Sequence, residues 1–147
     1  MNPSPGDIET DPRFPSGKWV GFWTQSIPIR GRLKQELILT FHRGKIEGEG
    51  RDMVGKFGIR GFYSTEDGKC RWTKKYVGRH DVFYQGFNEG KGIWGTWEIP
   101  ATDLTLHLKG GFHIWPEGLS DPTDSTLKAE ADLPAAKKVE VGEAVAV

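Results

Sequence analysis

The sequence has almost no cysteine. Cys70 is the single one among 147 residues, so no disulfide can form within the chain. The opening residues MNPSPGDIETDP lack both the basic segment and the apolar core of a secretory signal. No apolar run approaches the roughly 18 to 20 residues that a membrane-spanning helix needs. These absences predict a protein of the reducing cytoplasm that has no membrane span.

Net charge is also lacking, because 20 Lys and Arg residues are balanced by 20 Asp and Glu residues. The charges are nevertheless unevenly placed. Between Phe14 and Trp115 there are sixteen basic and ten acidic residues, whereas three basic and seven acidic residues follow. A weakly basic body with an acidic tail is typical of a solvated surface, and an acidic partner or nucleic acid is the alternative interpretation.

Glycine and tryptophan, in contrast, are abundant, with 20 and 6 residues. They occur together in GKWVGFW, Gly17–Trp23, and in GIWGTWEI, Gly92–Ile99. A glycine opposite a tryptophan on the inner face of a sheet leaves room for the indole, and glycines also allow strongly coiled strands to bend. The pairing therefore indicates a curved sheet with tryptophan on its concave side.

Apolar residues recur at every second position through the middle of the chain, and turns containing Gly with Asn, Asp or Glu interrupt them. No amphipathic helix of useful length lies between these stretches. The connections are short, and a parallel crossover needs a dozen residues or more, so antiparallel neighbours are expected. The predicted strands are Lys18–Gln25, Leu33–His42, Lys45–Arg51, Lys56–Tyr63, Lys69–Val77, His80–Phe87, Lys91–Ile99 and Leu104–Trp115.

A meander of eight strands leaves two exposed edges unless the sheet closes on itself. We therefore predict an all-β protein, an antiparallel up-and-down barrel of about eight strands, with a two-sheet sandwich as the alternative. All aromatic residues lie within 14–115, which is the predicted barrel domain. Residues 1–13 and the acidic residues 116–147 have little apolar surface and are predicted to be flexible, disordered termini.

The triplet Gly17-Lys18-Trp19, at the start of the first predicted strand, resembles the G-x-W opening of calycin barrels. These are the lipocalins, the fatty-acid-binding proteins and the avidins, in which the tryptophan closes one end of the barrel. The resemblance implies a small β-barrel and extends to the predicted meander. Gly21 and Phe22 stand where avidins place a polar biotin-binding residue, so the ligand chemistry of that family does not carry over.

The face that carries Trp19 is predicted to point inward. An eight-stranded barrel is either filled by its side chains or holds one small ligand. For a pocket, we predict an aromatic lining with a few polar groups that orient an apolar or aromatic ligand. The predicted lining residues are Trp19, Trp23, Gln25, Phe57, Tyr63, Trp72, Lys74, Tyr76, His80, Tyr84 and Trp97. No cofactor is predicted, and no metal site either, since the four histidines lack a ligand spacing.

Four aromatic residues have outward parity, and clustering among them would mark a protein partner or a homodimer interface. They are Phe22, Phe62, Phe83 and Trp94. The predicted function is accordingly a non-enzymatic binding module, for a small ligand inside the barrel or for a protein partner outside it.

Two other functions stay open. A barrel enzyme of the lyase or isomerase type would use Tyr84, His80 or Asp81 as proton-transfer groups. Single-stranded nucleic acid would bind the segment Lys69–His80, in which five basic residues are interleaved with aromatic ones.

Overall fold

A computed structural model describes residues 5–25, 31–102 and 106–123 of the chain. Every strand pairs antiparallel with its neighbours in the sequence, and the last strand also pairs with the first, which closes the sheet into a barrel. The predicted all-β antiparallel barrel is confirmed, and closure excludes the two-sheet sandwich. A short 3-10 helix, Pro5–Asp7, precedes the strands β1 Gly17–Trp23, β2 Leu33–His42, β3 Lys45–Asp52, β4 Lys56–Tyr63, β5 Lys69–Tyr76, β6 Asp81–Asn88, β7 Ile93–Ile99 and β8 Leu108–Pro116.

The last strand differs most from its prediction. Leu104 lies outside the described residues, and β8 begins only at Leu108. The neighbouring strand β7 ends at Ile99, which pairs with Leu108, so the described residues Leu106 and His107 lie outside the ladder between the two strands. Leu106 is 81% exposed, which shows that the alternating leucines continue into a solvent-facing connection.

Glycines do make room for indoles inside the barrel. Gly61 pairs with Trp72 across β4 and β5, and a Cβ at Gly61 would lie 2.5 Å from the Trp72 Cβ atom. Gly110 pairs with Trp97 across β7 and β8, and a Cβ there would lie 2.7 Å from the indole nitrogen. Each tryptophan therefore occupies space that any larger residue on the opposite strand would fill.

The N-terminal segment covers one end of the barrel, which we call the covered end. Phe14 is fully buried there, with its ring 4.9 Å from that of Tyr63. The Tyr63 hydroxyl donates a 2.6 Å hydrogen bond to Glu9 Oε1, and the Trp19 indole N–H donates a 2.9 Å hydrogen bond to the Pro15 carbonyl. The flexibility predicted for residues before the first strand stays a prediction.

Residues after β8 lie against the outer side of β1. The Glu117 N–H donates a 2.8 Å hydrogen bond to the Lys18 carbonyl. Arg32 donates to Thr123 Oγ1 at 2.9 Å and holds its guanidinium 4.3 Å from the centre of the Phe22 ring. Phe22 lies on the outer face as expected, but these neighbours leave it only 5% exposed.

Candidate functional site

Most of the predicted lining residues surround one buried lysine, Lys74, in the half of the barrel opposite the covered end. Lys74 lies near the end of β5, where strand alternation points it inward with Trp72 and Tyr76. The Lys74 ammonium lies 4.2 Å from the centre of the Phe57 ring. Further aromatic rings whose centres lie within 6 Å of the ammonium belong to Trp23, Tyr76 and Tyr84.

The Lys74 ammonium makes three hydrogen bonds. It donates to Asp52 Oδ2 at 2.6 Å, to Gln35 Oε1 at 3.2 Å and to the Tyr84 hydroxyl at 3.3 Å. The side chains of Lys74 and Asp52 are 1% and 0% exposed. All three donors of the ammonium are thus used, and the ion pair lies in a region of low dielectric where its charges interact strongly.

Asp52 organises the other side of this cluster. Its Oδ2 atom also accepts a 2.6 Å hydrogen bond from the Tyr76 hydroxyl and one of 3.2 Å from the Trp23 indole. Its Oδ1 atom accepts the Val54 N–H at 2.9 Å, which ties the cluster to the β3–β4 turn. One carboxylate therefore links strands β1, β3 and β5 through the interior of the barrel.

Asp52 and Gln35 are absent from the predicted lining, although strand parity could have found both. Asp52 shares its parity in β3 with Ile46, Gly48 and Gly50, and Gln35 shares its parity in β2 with Leu37. The sequence signal is a polar side chain, Asp52 or Gln35, on the side of a strand that otherwise carries small or apolar residues. A prediction of their meeting with Lys74 also requires the registers of β2 to β5.

Burial shifts the proton affinities of the cluster. It lowers the pKa of Lys74 from 10.5 to about 8, and the nearby Asp52 carboxylate only partly offsets this shift. The pKa values of Tyr76 and Tyr84 are raised above 10, first by burial and then by Asp52, which accepts the Tyr76 hydrogen bond and acts on Tyr84 through its charge. Both phenols therefore stay protonated at neutral pH, while the amine is the more easily deprotonated group.

Two buried N–H groups next to this cluster lack an acceptor. Among the residues that the structure describes, Trp72 Nε1 has no acceptor and Gln35 Nε2 has none in good hydrogen-bond geometry, although the Gln35 amide lies close enough to the Tyr84 hydroxyl to oppose the rise in the pKa of that phenol. The Trp72 ring stacks on Tyr84 with centroids 5.3 Å apart and an interplanar angle of 11°. Buried donors usually find a partner because an unsatisfied one costs free energy. These two N–H groups therefore mark a place where an acceptor would be bound favourably.

Four predicted lining residues lie elsewhere. Trp19 and Tyr63 belong to the covered end. Gln25 follows the end of β1 and is half-buried, and His80 is exposed before β6, with its ring 6.0 Å from that of Tyr76. Trp97 does belong to the cluster half, 5.8 Å from Trp23 in an edge-on contact. That these residues bind a ligand stays a prediction.

The segment Lys69–His80 places its aromatic and basic residues on opposite sides of the sheet. Trp72 and Tyr76 are buried inside, whereas Lys69, Arg71 and Lys75 are exposed outside. The segment therefore offers no surface on which bases would stack against these two aromatic residues.

The proton-transfer candidates are likewise dispersed, with His80 just before β6 and Asp81 and Tyr84 within it. His80 is exposed and Asp81 is half-buried at the strand start, while Tyr84 is 4% exposed within the barrel. Cys70, another possible nucleophile, is buried, and burial raises its pKa to about 12.

Outside the barrel, strands β4 to β7 carry a group of aromatic residues. Phe62 and Phe83 are 53% and 44% exposed. Phe87 and Trp94 are half-buried and pack with ring centroids 4.7 Å apart. Arg71 lies among them, with its guanidinium 5.4 Å from the centre of the Phe62 ring. We call the surface formed by Phe62, Phe83, Phe87 and Trp94 the outer aromatic face.

Two grooves cross the outer aromatic face, with volumes of about 290 and 600 Å³. Both are lined by Phe62, Arg71, Gln85 and Thr96, so they form adjacent parts of one surface. Their shared residues lie side by side because Arg71 pairs with Phe62 in β4 and with Gln85 in β6.

The fold and its interior define a class of protein, a closed eight-stranded antiparallel barrel with a buried Lys–Asp pair. Comparison with protein-family models, with curated proteins and with solved structures finds no match to this chain. Among the residues with described positions, no three His, Cys, Asp or Glu side chains are grouped as metal ligands. In that same part of the chain, no helix has the length and apolar character needed to cross a membrane.

Proposed function

We propose that this protein is a non-enzymatic binding module that docks an acidic, aromatic-containing protein segment on its outer aromatic face. The observation that supports this most directly is the exposure of Phe62 and Phe83, beside Arg71, over two adjoining grooves. Aromatic residues and arginine dominate the binding energy of protein interfaces. An exposed cluster of this kind is a recognised sign of a docking surface.

Charge supports an acidic partner. Arg60, Lys69 and Arg71 are exposed on this side of the barrel. The nearby Glu98 already has a contact, because its Oε2 atom lies 2.9 Å from the His107 imidazole. An acidic segment would complement this excess of basic groups and would be steered towards it.

The overall charge favours a protein over a nucleic acid as this partner. Domains that bind nucleic acids commonly have an isoelectric point above about 9. The value for this chain is near 6.9, with equal numbers of acidic and basic residues. A chain without net charge supplies no long-range attraction for a polyanion, so local groups on one face must account for recognition.

A small ligand inside the barrel is the second candidate, and the unpartnered N–H groups of Gln35 and Trp72 favour it. Such a ligand would be apolar or aromatic and would carry an acceptor for these donors. The exposure of Phe62 and Phe83, at 53% and 44%, supports the outer face as the first choice. The hypothesis of an internal ligand predicts that the fluorescence of Trp23 or Trp97 changes when a binding compound is titrated into the protein.

The test uses short peptides rich in Asp, Glu and aromatic residues, with peptides of the same aromatic content but Lys in place of the acids as controls. The acidic peptides should shift the amide resonances of β4 to β7 and leave those of β2 unchanged. Phe62→Ala combined with Phe83→Ala should weaken binding about tenfold or more. Ile38→Ala, at a residue 58% exposed on β2, is the matched control and should bind normally.

Three results would contradict the docking proposal. Equal binding of the lysine peptides would remove the charge argument. Stronger binding of a single-stranded oligonucleotide would replace the protein partner, and self-association abolished by the two phenylalanine substitutions would make the face a homodimer interface.

We also propose that the barrel is calycin-like and that the protein is cytoplasmic. A calycin-like barrel is supported by the G-x-W opening and by the complete burial of Trp19 at the covered end. A cytoplasmic location is supported by the single buried cysteine, Cys70, which would need no oxidising compartment.

A further inference from the structure

We propose that the Lys74 amine binds carbon dioxide reversibly as a carbamate, whose oxygens accept hydrogen bonds from Trp72 Nε1 and Gln35 Nε2. The proposal does not depend on what docks outside the barrel. It joins two observations, a lysine nitrogen enclosed by aromatic rings and two buried donors without an acceptor. Carbon dioxide is small, linear and uncharged, so it can enter an apolar interior without losing the hydration of a charged group.

The reacting form of the amine is available near neutral pH. Only a neutral amine attacks carbon dioxide, and burial lowers the pKa of Lys74 to about 8. About a tenth of this amine is then neutral at pH 7, whereas an exposed lysine with an ordinary pKa is neutral in less than about one molecule in a thousand. Lys74 should therefore react in preference to a lysine whose amine is in water.

The bonds and protons balance without another reactant. The ammonium first releases one proton to solvent. The amine lone pair then forms an N–C bond with carbon dioxide, and one C=O electron pair moves onto oxygen. The second proton leaves nitrogen for the Asp52 carboxylate, whose Oδ2 atom lies 2.6 Å from Lys74 Nζ. One carbon dioxide is taken up, one proton is released to solvent and the reverse steps restore the ion pair.

The surroundings suit the product as well as the reactants. A carbamate has two acceptor oxygens, and Gln35 Nε2 and Trp72 Nε1 are buried donor atoms in the same half of the barrel. Gln35 is adjacent to the reacting atom, since its Oε1 accepts from Lys74 Nζ at 3.2 Å, and the Tyr84 hydroxyl lies 3.3 Å from the same nitrogen. The titratable groups that face Lys74 are Asp52, Tyr76 and Tyr84. The phenols stay protonated and Asp52 becomes neutral, so the carbamate meets no second anion.

The test is ¹³C NMR of the full chain, labelled with ¹⁵N-lysine, in ¹³C-bicarbonate near pH 8. The expected result is one carbamate resonance coupled to a lysine nitrogen, which disappears on acidification or on removal of carbon dioxide. Coupling to ¹⁵N-lysine separates this signal from a carbamate on the N-terminal amine. Lys74→Arg should abolish the signal, and Lys75→Arg, the matched control, should retain it.

A second variant keeps the lysine and removes a donor. Trp72→Phe retains an aromatic ring against Tyr84 but lacks the N–H, and it should lower carbamate occupancy at fixed bicarbonate by about fivefold or more. If Lys74→Arg does not fold, alkylation of the carbamate in the wild-type protein followed by peptide mass mapping locates it instead. The proposal is overturned by a lysine-coupled signal that survives in Lys74→Arg, by its absence from the wild type or by a Trp72→Phe variant with unchanged occupancy.

Discussion

Lys74→Met is the substitution that most directly tests the buried ion pair. Methionine keeps much of the apolar stem of lysine but removes the ammonium. The Asp52 carboxylate then remains 0% exposed, with only the Tyr76 hydroxyl and the Trp23 indole as donors to Oδ2. An uncompensated buried charge typically costs about 3–5 kcal/mol. We expect the free energy of unfolding to fall by about that amount.

Removal of both charges should restore most of the loss. In Lys74→Met/Asp52→Asn, the asparagine Oδ1 can still accept the Val54 N–H, so the turn after β3 is preserved. Replacement of a buried ion pair by neutral groups of similar volume is often neutral or stabilising. The double variant should therefore be within about 2 kcal/mol of wild type. If Asp52→Asn alone also costs about 3–5 kcal/mol by leaving the ammonium unpaired, the coupling energy of the two residues is about 4 kcal/mol or more.

Urea unfolding followed by tryptophan fluorescence measures these energies, provided that the slope against denaturant is unchanged among the variants. The pair formed by Arg51 and Glu36 is the control. Its atoms are 3.4 Å apart, both side chains are at least half exposed, and its coupling energy should be below about 1 kcal/mol. A loss below about 1 kcal/mol for Lys74→Met would refute the argument, because the carboxylate would then be reaching water or a proton without appreciable cost.

Three further predictions concern stability. The folded-state pKa of Lys74, about 8, is below its unfolded value, and the neutral amine, unlike methionine, can still donate a hydrogen bond to Asp52, so folding is favoured progressively as pH rises from about 8 to 10; unfolding curves across this range should show a gain of about 2 kcal/mol from this group. Gly110→Ala places a Cβ against the Thr24 carbonyl oxygen and 2.7 Å from the Trp97 indole nitrogen and should cost about 3 kcal/mol or more in urea unfolding, whereas Gly58→Ala, with only a 4.0 Å contact, should be nearly neutral. Tyr63→Phe removes the 2.6 Å hydrogen bond to Glu9 and should lower the thermal midpoint at neutral pH, but much less at a pH where the carboxylate is protonated.

Strand alternation was sufficient to predict much of the fold. Two predicted strands have the bounds that the structure shows, Leu33–His42 for β2 and Lys56–Tyr63 for β4. In both strands the apolar residues alternate regularly, and the alternation ends before a turn that contains a glycine with positive φ, Gly44 or Gly68. Barrel closure followed from the need to pair the edges of a continuous meander. The start of β8 could not be obtained in this way, since an exposed connection containing Leu106 alternates as a strand does.

The candidate site was predictable only in part. The side of the sheet on which a residue lies follows from alternation within its own strand, whereas the residue that it contacts across the barrel depends on how other strands pair. Parity within β5 correctly directed Lys74 inward with Trp72 and Tyr76. Its acidic partner lies on β3, with β4 between the two strands, so their meeting depends on two successive registers. Those registers are fixed by turns and by packing across the whole barrel, which no single stretch of sequence records.

A barrel that buries a lysine and an aspartate raises the question of what keeps the charges there. Leucine or methionine would pack the same space without the cost of removing two ions from water. Stability alone therefore does not account for the pair. If Lys74→Met/Asp52→Asn folds as stably as wild type, and the wild-type protein forms the carbamate, the charges are retained for chemistry. If that double variant is much less stable, or populates more than one folded form, the pair instead specifies the strand registers, and the carbamate would be a consequence of burial rather than its purpose.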